Sequence, residues 1–231
     1  FEATTNENGV AMFDKLVIGK YVITEDGSTV PAAYLTADEQ EVTVEYNETA
    51  EVAFENIEKT GEIKVTKTTV GNINVSGITF NLRGTSDSGR DIDIPAVTDE
   101  NGVAIFSEIP IGTYTIYEDE KTVPTAYLVA DPQNVTVTYA ETKEVPIENK
   151  EKTGSITVHK TTEGQKNIEG IKFYLRGTSD SGRAIDIPAT TDKDGIAKFD
   201  GVPIGTYMVI EDEETVPYGY LVADEKEVKV E

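Results

Sequence analysis

Gly61-Glu62-Ile63-Lys64-Val65-Thr66-Lys67 places Ile63, Val65 and Lys67 on one side of an extended chain and Glu62, Lys64 and Thr66 on the other. That two-residue period is the mark of a β-strand with one buried face. The same pattern returns as Gly154-Ser155-Ile156-Thr157-Val158-His159-Lys160. Stretches at Gly77 to Leu82, Gly112 to Glu118 and Asn134 to Tyr139 alternate in the same way; they are rich in Val, Ile, Thr and Tyr and bounded by Gly, Asn, Asp and Pro. No stretch sustains the 3.6-residue period of an amphipathic helix, so the expected class is all-β.

Working outward, the chain repeats itself. LRGTSDSGR occurs from Leu82 to Arg90 and again from Leu175 to Arg183, and PIGTY from Pro110 to Tyr114 and from Pro203 to Tyr207, each displaced by 93 positions. Upstream at the same displacement, Val17 to Asp26 (VIGKYVITED) matches Pro110 to Asp119. Dividing at the Gly of the recurrent EKTG predicts three segments: 1–60, the C-terminal part of a first repeat; 61–153, a complete repeat; and 154–231, a third repeat lacking its last strand. This is the expectation for a window of a longer tandem array. About seven strands per unit imply tandem antiparallel β-sandwich domains, immunoglobulin-like in architecture. The connections NIEKTG and NKEKTG carry no Gly/Ser or Pro tract, which predicts stiffly joined neighbours.

Composition narrows the function. With 20 Lys+Arg against 43 Asp+Glu, the 231-residue chain carries a net charge of −23, which argues against a nucleic-acid partner and an anionic membrane surface. No apolar run is long enough for membrane insertion in this segment. The absence of cysteine removes disulfides, thiolate nucleophiles and cysteine-ligated metals, and the single His159 falls on the outward phase of its strand. The Asn6/Asn8/Gly9, Asp99/Asn101/Gly102 and Asp192/Asp194/Gly195 stretches lack the remaining ligands of a calcium loop and read as hairpin turns. No metal and no cofactor are expected. RGTSDSGR, two arginines flanking an acidic tip, reads either as a contact surface or, more simply, as a polar hairpin.

The functional signal is a set of polar residues on the buried phase. Lys67 and Lys160 follow the apolar positions of their strands; Glu118 shares a face with Tyr114 and Ile116, as Glu25 does with Tyr21 and Ile23 and Glu211 with Tyr207 and Val209. Asn149 continues Val145 and Ile147, and Asn56 continues Val52 and Phe54. Buried charges must be paired or neutralised. One reading is an internal ion pair bridged by asparagine. The other is chemistry: in an apolar site a neutral lysine amine beside an asparagine amide, with a protonated glutamate to donate and shuttle protons, displaces ammonia and leaves a Lys–Asn isopeptide bond.

The order of motifs resembles the Cna B-type domain of Gram-positive surface proteins, the family that includes SpaA-type pilins. GSITVHK and GIKFYLRG (Gly154 to Lys160, Gly170 to Gly177) resemble its opening strands with the linkage lysine, TDENGVAIFSEIPIGTYTI (Thr98 to Ile116) its central hairpin, and YMVIEDEETVPYGYL (Tyr207 to Leu221) its glutamate-bearing box. The interval from Glu211 to Pro217 is longer than the usual pattern, and Ala33 and Ala126 stand where a turn glycine is usual. The resemblance implies a cross-link between Lys67 and Asn149 promoted by Glu118, with Glu25 and Glu211 as its equivalents and Asn56 and Lys160 unpaired within the chain. It also implies a structural stalk or fibre on the extracellular, cell-wall-attached surface of a Gram-positive bacterium, not a turnover enzyme. The partners are neighbouring repeats and other copies in a fibre. An adhesin whose repeats themselves bind a host or matrix ligand stands as the alternative.

Overall fold

The computed structural model describes residues 1–71, 74–165 and 168–231. Its strands are β1 (Gly19–Ile23), β2 (Gln40–Val44), β3 (Thr60–Thr69), β4 (Thr79–Ser86), β5 (Asp91–Val97), β6 (Val103–Pro110), β7 (Gly112–Glu118), β8 (Gln133–Val137), β9 (Thr142–Asn149), β10 (Thr153–His159), β11 (Lys172–Ser179), β12 (Ala184–Thr190), β13 (Ile196–Pro203), β14 (Gly205–Glu211) and β15 (Lys226–Val230). No helix among the described residues is long and apolar enough to cross a membrane.

The alternating pattern becomes two facing layers in the middle repeat. One sheet runs β6-β3-β9 and the other β5-β4-β7-β8. Between them lie Ile63 and Val65 of β3, Phe80 and Leu82 of β4, Ala104 and Phe106 of β6, Tyr114 and Ile116 of β7, Val135 and Val137 of β8, and Val145 and Ile147 of β9, one core cluster. Each fully buried aliphatic or aromatic side chain here contributes about 1.5–3 kcal/mol. The turn between β5 and β6 is closed by Asp99, whose Oδ1 accepts from the backbone N–H of Asn101 (2.8 Å) and Val103 (2.9 Å). Gly102 supplies the left-handed residue there at φ 74°. This is hairpin chemistry, and among the described residues no cluster of carboxylates suited to a metal occurs.

The strands pair antiparallel, as expected, with one instructive exception. β3 and β9, the first and last strands of the middle repeat, run parallel, in register from Glu62 opposite Thr142 to Thr69 opposite Asn149. Because both strands point the same way, Lys67 and Asn149, each near the end of its own strand, arrive at the same end of the sandwich. The third repeat builds β12-β11-β14-β15 and a separate β10-β13 pair around Ile171, Phe173, Leu175, Phe199 and Tyr207. The first repeat contributes the pair β1-β2.

The expected stiffness of the connections has a visible cause. Lys59 donates its backbone N–H to Ala33 and accepts from Ile111, at 2.8 and 2.9 Å. Lys152 does the same between Ala126 (2.9 Å) and Ile204 (3.0 Å). One residue is therefore bonded to both neighbouring repeats, and no free linker lies between them.

Candidate cross-linking site

The buried-phase residues of the middle repeat do meet. β3 delivers Lys67 and β7 delivers Glu118, with side chains 0% and 1% exposed and Nζ 3.9 Å from Oε1. β9 delivers the fully buried Asn149, whose Nδ2 donates to Glu118 Oε2 at 2.6 Å. Glu118 therefore spans the pair, one carboxyl oxygen toward the amine and the other toward the amide nitrogen. Lys67 Nζ also donates to the carbonyl of Thr68 at 2.7 Å and to that of Ile147 at 3.4 Å.

Burial holds the Lys67 amine below the ordinary lysine range, against the opposing pull of Glu118 and Glu148. Two buried acceptors, Glu118 Oε1 and Asn149 Oδ1, have no hydrogen-bond donor. An unmet buried acceptor costs about 1–3 kcal/mol, so the cluster holds the reactants without fully satisfying them.

The other repeats carry parts of the same arrangement. In the first, Asn56 Nδ2 donates to Glu25 Oε2 at 2.6 Å and to the Leu35 carbonyl at 2.9 Å. In the third, Lys160 Nζ lies 2.6 Å from Glu211 Oε1, with side chains 10% and 1% exposed. At the 93-residue displacement, residues 1–231 contain no counterpart of Lys67 in the first repeat and none of Asn149 in the third. His159 is exposed, as its phase implied.

Several contributors carry no side-chain signal that alternation could reveal. The backbone N–H of Ala130 donates to Glu118 Oε2 at 2.8 Å, and Ala37 and Ala223 do the same for Glu25 and Glu211 at 2.8 and 2.7 Å. Tyr114, four residues before Glu118, anchors the start of β7 by donating its hydroxyl to the Pro110 carbonyl at 2.7 Å. Burial pushes that phenol up to about 12. The repeated PIGTY stretch is the sequence trace of this anchor; Tyr207 bonds Pro203 in the same way.

The SpaA prealbumin-like fold domain family matches residues 1–58, 61–151 and 154–231. The chain belongs to this family. A solved structure of the Bacillus anthracis TIE protein aligns with 99% of this SpaA-type chain at 25% identity and a TM-score of 0.70. The chain spans 42% of that protein's chain, less than half its length. A streptococcal ancillary pilin matches at 17% identity over 94% of this chain and 72% of its own, with a TM-score of 0.38. The shaft pilin SpaA from Lactobacillus rhamnosus GG matches at 16% identity over 74% of this chain and 93% of its own, with a TM-score of 0.33. No curated protein matches the chain.

Proposed function

We propose that this chain is a structural stalk segment of an extracellular Gram-positive surface protein, built of SpaA-type repeats divided at 1–60, 61–153 and 154–231. Its middle repeat is locked by an autocatalytic isopeptide bond between Lys67 and Asn149, with Glu118 as the catalytic carboxyl. The observation that carries this reading is the bridging position of Glu118, Oε1 3.9 Å from the nucleophile and Oε2 2.6 Å from the leaving nitrogen.

The chemistry balances within the three side chains. The neutral Nζ of Lys67 attacks Cγ of Asn149. Glu118, protonated, supplies a proton to Nδ2, the Cγ–Nδ2 bond breaks and ammonia leaves. The carboxylate recovers a proton from Nζ, so Glu118 ends as it began and an Nζ–Cγ amide has formed. The lowered basicity of Lys67 raises the share of neutral amine. Turnover on an outside substrate has no support here, because the reacting groups are all buried in one core.

Intact-mass measurement tests the proposal. The folded chain is expected to weigh one ammonia less than its sequence. Lys67→Ala and Asn149→Ala each restore the full mass, and Glu118→Ala restores it with both reactants present. Lys160→Ala and Asn56→Ala leave the deficit of one ammonia in place. A parent chain of unmodified mass sinks the cross-link and returns the cluster to a bridged ion pair.

A further inference from the structure

The RGTSDSGR hairpin reads from sequence as a polar loop, yet the structure seats its tip against the preceding repeat. Glu58, at the end of the first repeat, accepts from Ser88 Oγ and pairs with Arg90 Nη1 at 3.1 Å. One repeat later, Glu151 accepts from Ser181 Oγ and pairs with Arg183, Nη2 at 2.9 Å and Nε at 3.4 Å. The two junctions are the same constellation at the 93-residue displacement. We infer that the Ser-Asp-Ser-Gly-Arg tip of each repeat is a receptor for the glutamate of the preceding repeat's EKTG segment, and that this clamp fixes one orientation between neighbours.

Three observations separate a built interface from a passing surface contact. The glutamate is drawn out of water, 21% exposed at Glu58 and 8% at Glu151, and Ser181 is 1% exposed. A carboxylate so placed requires its partners, and a forked arginine supplies two charge-assisted bonds in fixed geometry. The hairpin is itself tied to the shared backbone: Asp180 donates to the Ile204 carbonyl at 2.9 Å, and Ile204 donates to Lys152 at 3.0 Å.

Beside the clamp lies a small apolar cluster of Val123, Ala126 and Tyr127, with Ile204 of the next repeat against it. Tyr127 is 1% exposed, whereas the matching Tyr220 is only half-buried. Backbone approach adds a steric key. A Cβ on Gly71 of the middle repeat would come 2.4 Å from the Ser181 carbonyl of the third, while one on the matching Gly164 would meet nothing. The left-handed backbone calls for glycine at both positions, φ 98° at Gly71 and 76° at Gly164, and at Gly71 the docked neighbour leaves no room for a side chain as well. The partner that fits this surface is another repeat of the same type, presented in line, and the clamp is independent of whether the Lys67 cross-link forms.

A chain without cysteine allows clean labelling. Spin labels at Lys143→Cys and Lys193→Cys, exposed sites on successive repeats, report the inter-repeat distance distribution by pulsed dipolar spectroscopy. The parent is expected to give one narrow peak. Glu151→Ala and Arg183→Gln are each expected to lose that peak to a broad distribution, and the double variant to be no broader than either single. Nuclear magnetic resonance spectra with dispersed signals from both repeats establish that the variants remain folded; Glu151→Gln, which keeps the shape and drops the charge, serves should Glu151→Ala unfold. A broad parent distribution, or folded variants as narrow as the parent, overturns the inference.

Discussion

The first and third repeats hold opposite halves of what the middle repeat holds whole. Among the described residues, Glu25 has an asparagine and no lysine beside it, and Glu211 a lysine and no asparagine. In all three, a backbone N–H twelve residues on reaches the same carboxyl oxygen at 2.7 to 2.8 Å. The carboxylate is thus placed by its own strand and the loop that follows, whichever reactant is beside it. The lysine differs. Lys160 sits 2.6 Å from Glu211, a direct ion pair, but Lys67 stands 3.9 Å from Glu118, whose other oxygen is engaged by Asn149. Where the asparagine is present, the pair is opened and the amine is more buried, and burial holds Lys67 below the ordinary lysine range.

The largest break in this comparison is covalent. Lys67 and Asn149 are 82 positions apart, and closing a loop of that length stabilises by about 4–5 kcal/mol on the chain-entropy model. With β3 and β9 paired in parallel, the proposed bond would join the strand that enters the repeat to the strand that leaves it. Tension along the proposed stalk would then cross from Lys67 to Asn149 without loading the strands between. A single-molecule pulling trace of the parent is expected to lack a full-length unfolding step for the middle repeat, and Lys67→Ala to restore it. Equal extension for a mass-verified cross-linked chain and for the variant breaks the stalk reading.

A smaller effect sharpens the difference between the two lysines. In Glu118→Ala the amine of Lys67 stays free and loses its chief electrostatic support, so burial lowers its basicity further. The unfolded chain then binds more protons than the folded one between the lowered value and the ordinary lysine value. Stability therefore rises with pH across that window and is flat below it. Urea midpoints followed from neutral pH toward 10 are expected to climb for Glu118→Ala, and to climb less for Lys67→Met/Glu118→Ala. Equal slopes would remove burial of the amine as the source.

The alternation at Ile63, Val65 and Lys67 made the sandwich and all three buried-phase residue types legible, because a period of two assigns each side chain a face. Face, however, says nothing of strand direction. The parallel meeting of β3 and β9, which decides that Lys67 and Asn149 share an end, is a property of the closed fold. The backbone donors of Ala37, Ala130 and Ala223 leave no trace in a side-chain pattern. The clamp was legible only as the less favoured of two readings: Ser88, Arg90, Ser181 and Arg183 have the composition of a solvated loop, and only the neighbouring repeat reveals what they meet. Its one sequence trace was the joint recurrence of the hairpin and EKTG at the same displacement.

The finest comparison lies at a bulge that the middle and third repeats share. Between Gly61/Ile63 of β3 and Ile109/Phe106 of β6, one extra residue is accommodated, and β10 with β13 does the same between Gly154/Ile156 and Val202/Phe199. The residue that turns left-handed is Glu108 at φ 56° in the middle repeat and Gly201 at φ 65° in the third. A side chain with a Cβ pays roughly 1–2 kcal/mol in that conformation, while glycine pays part of this back through its looser unfolded chain. Glu108 is exposed, so it has no packing to lose. Glu108→Gly is expected to stabilise the middle repeat by somewhat under about 1 kcal/mol, and Gly201→Glu to destabilise the third by a similar amount. Both are best read as urea midpoints in the Lys67→Ala background, where the middle repeat unfolds without the cross-link. Charge alone would give the same pair of signs, since Glu108→Gly removes a negative charge from a chain of net −23 and Gly201→Glu adds one; Gly201→Ala, which adds a Cβ without a charge, separates the two, with a loss of stability tying the effect to the bulge conformation and no loss assigning it to charge.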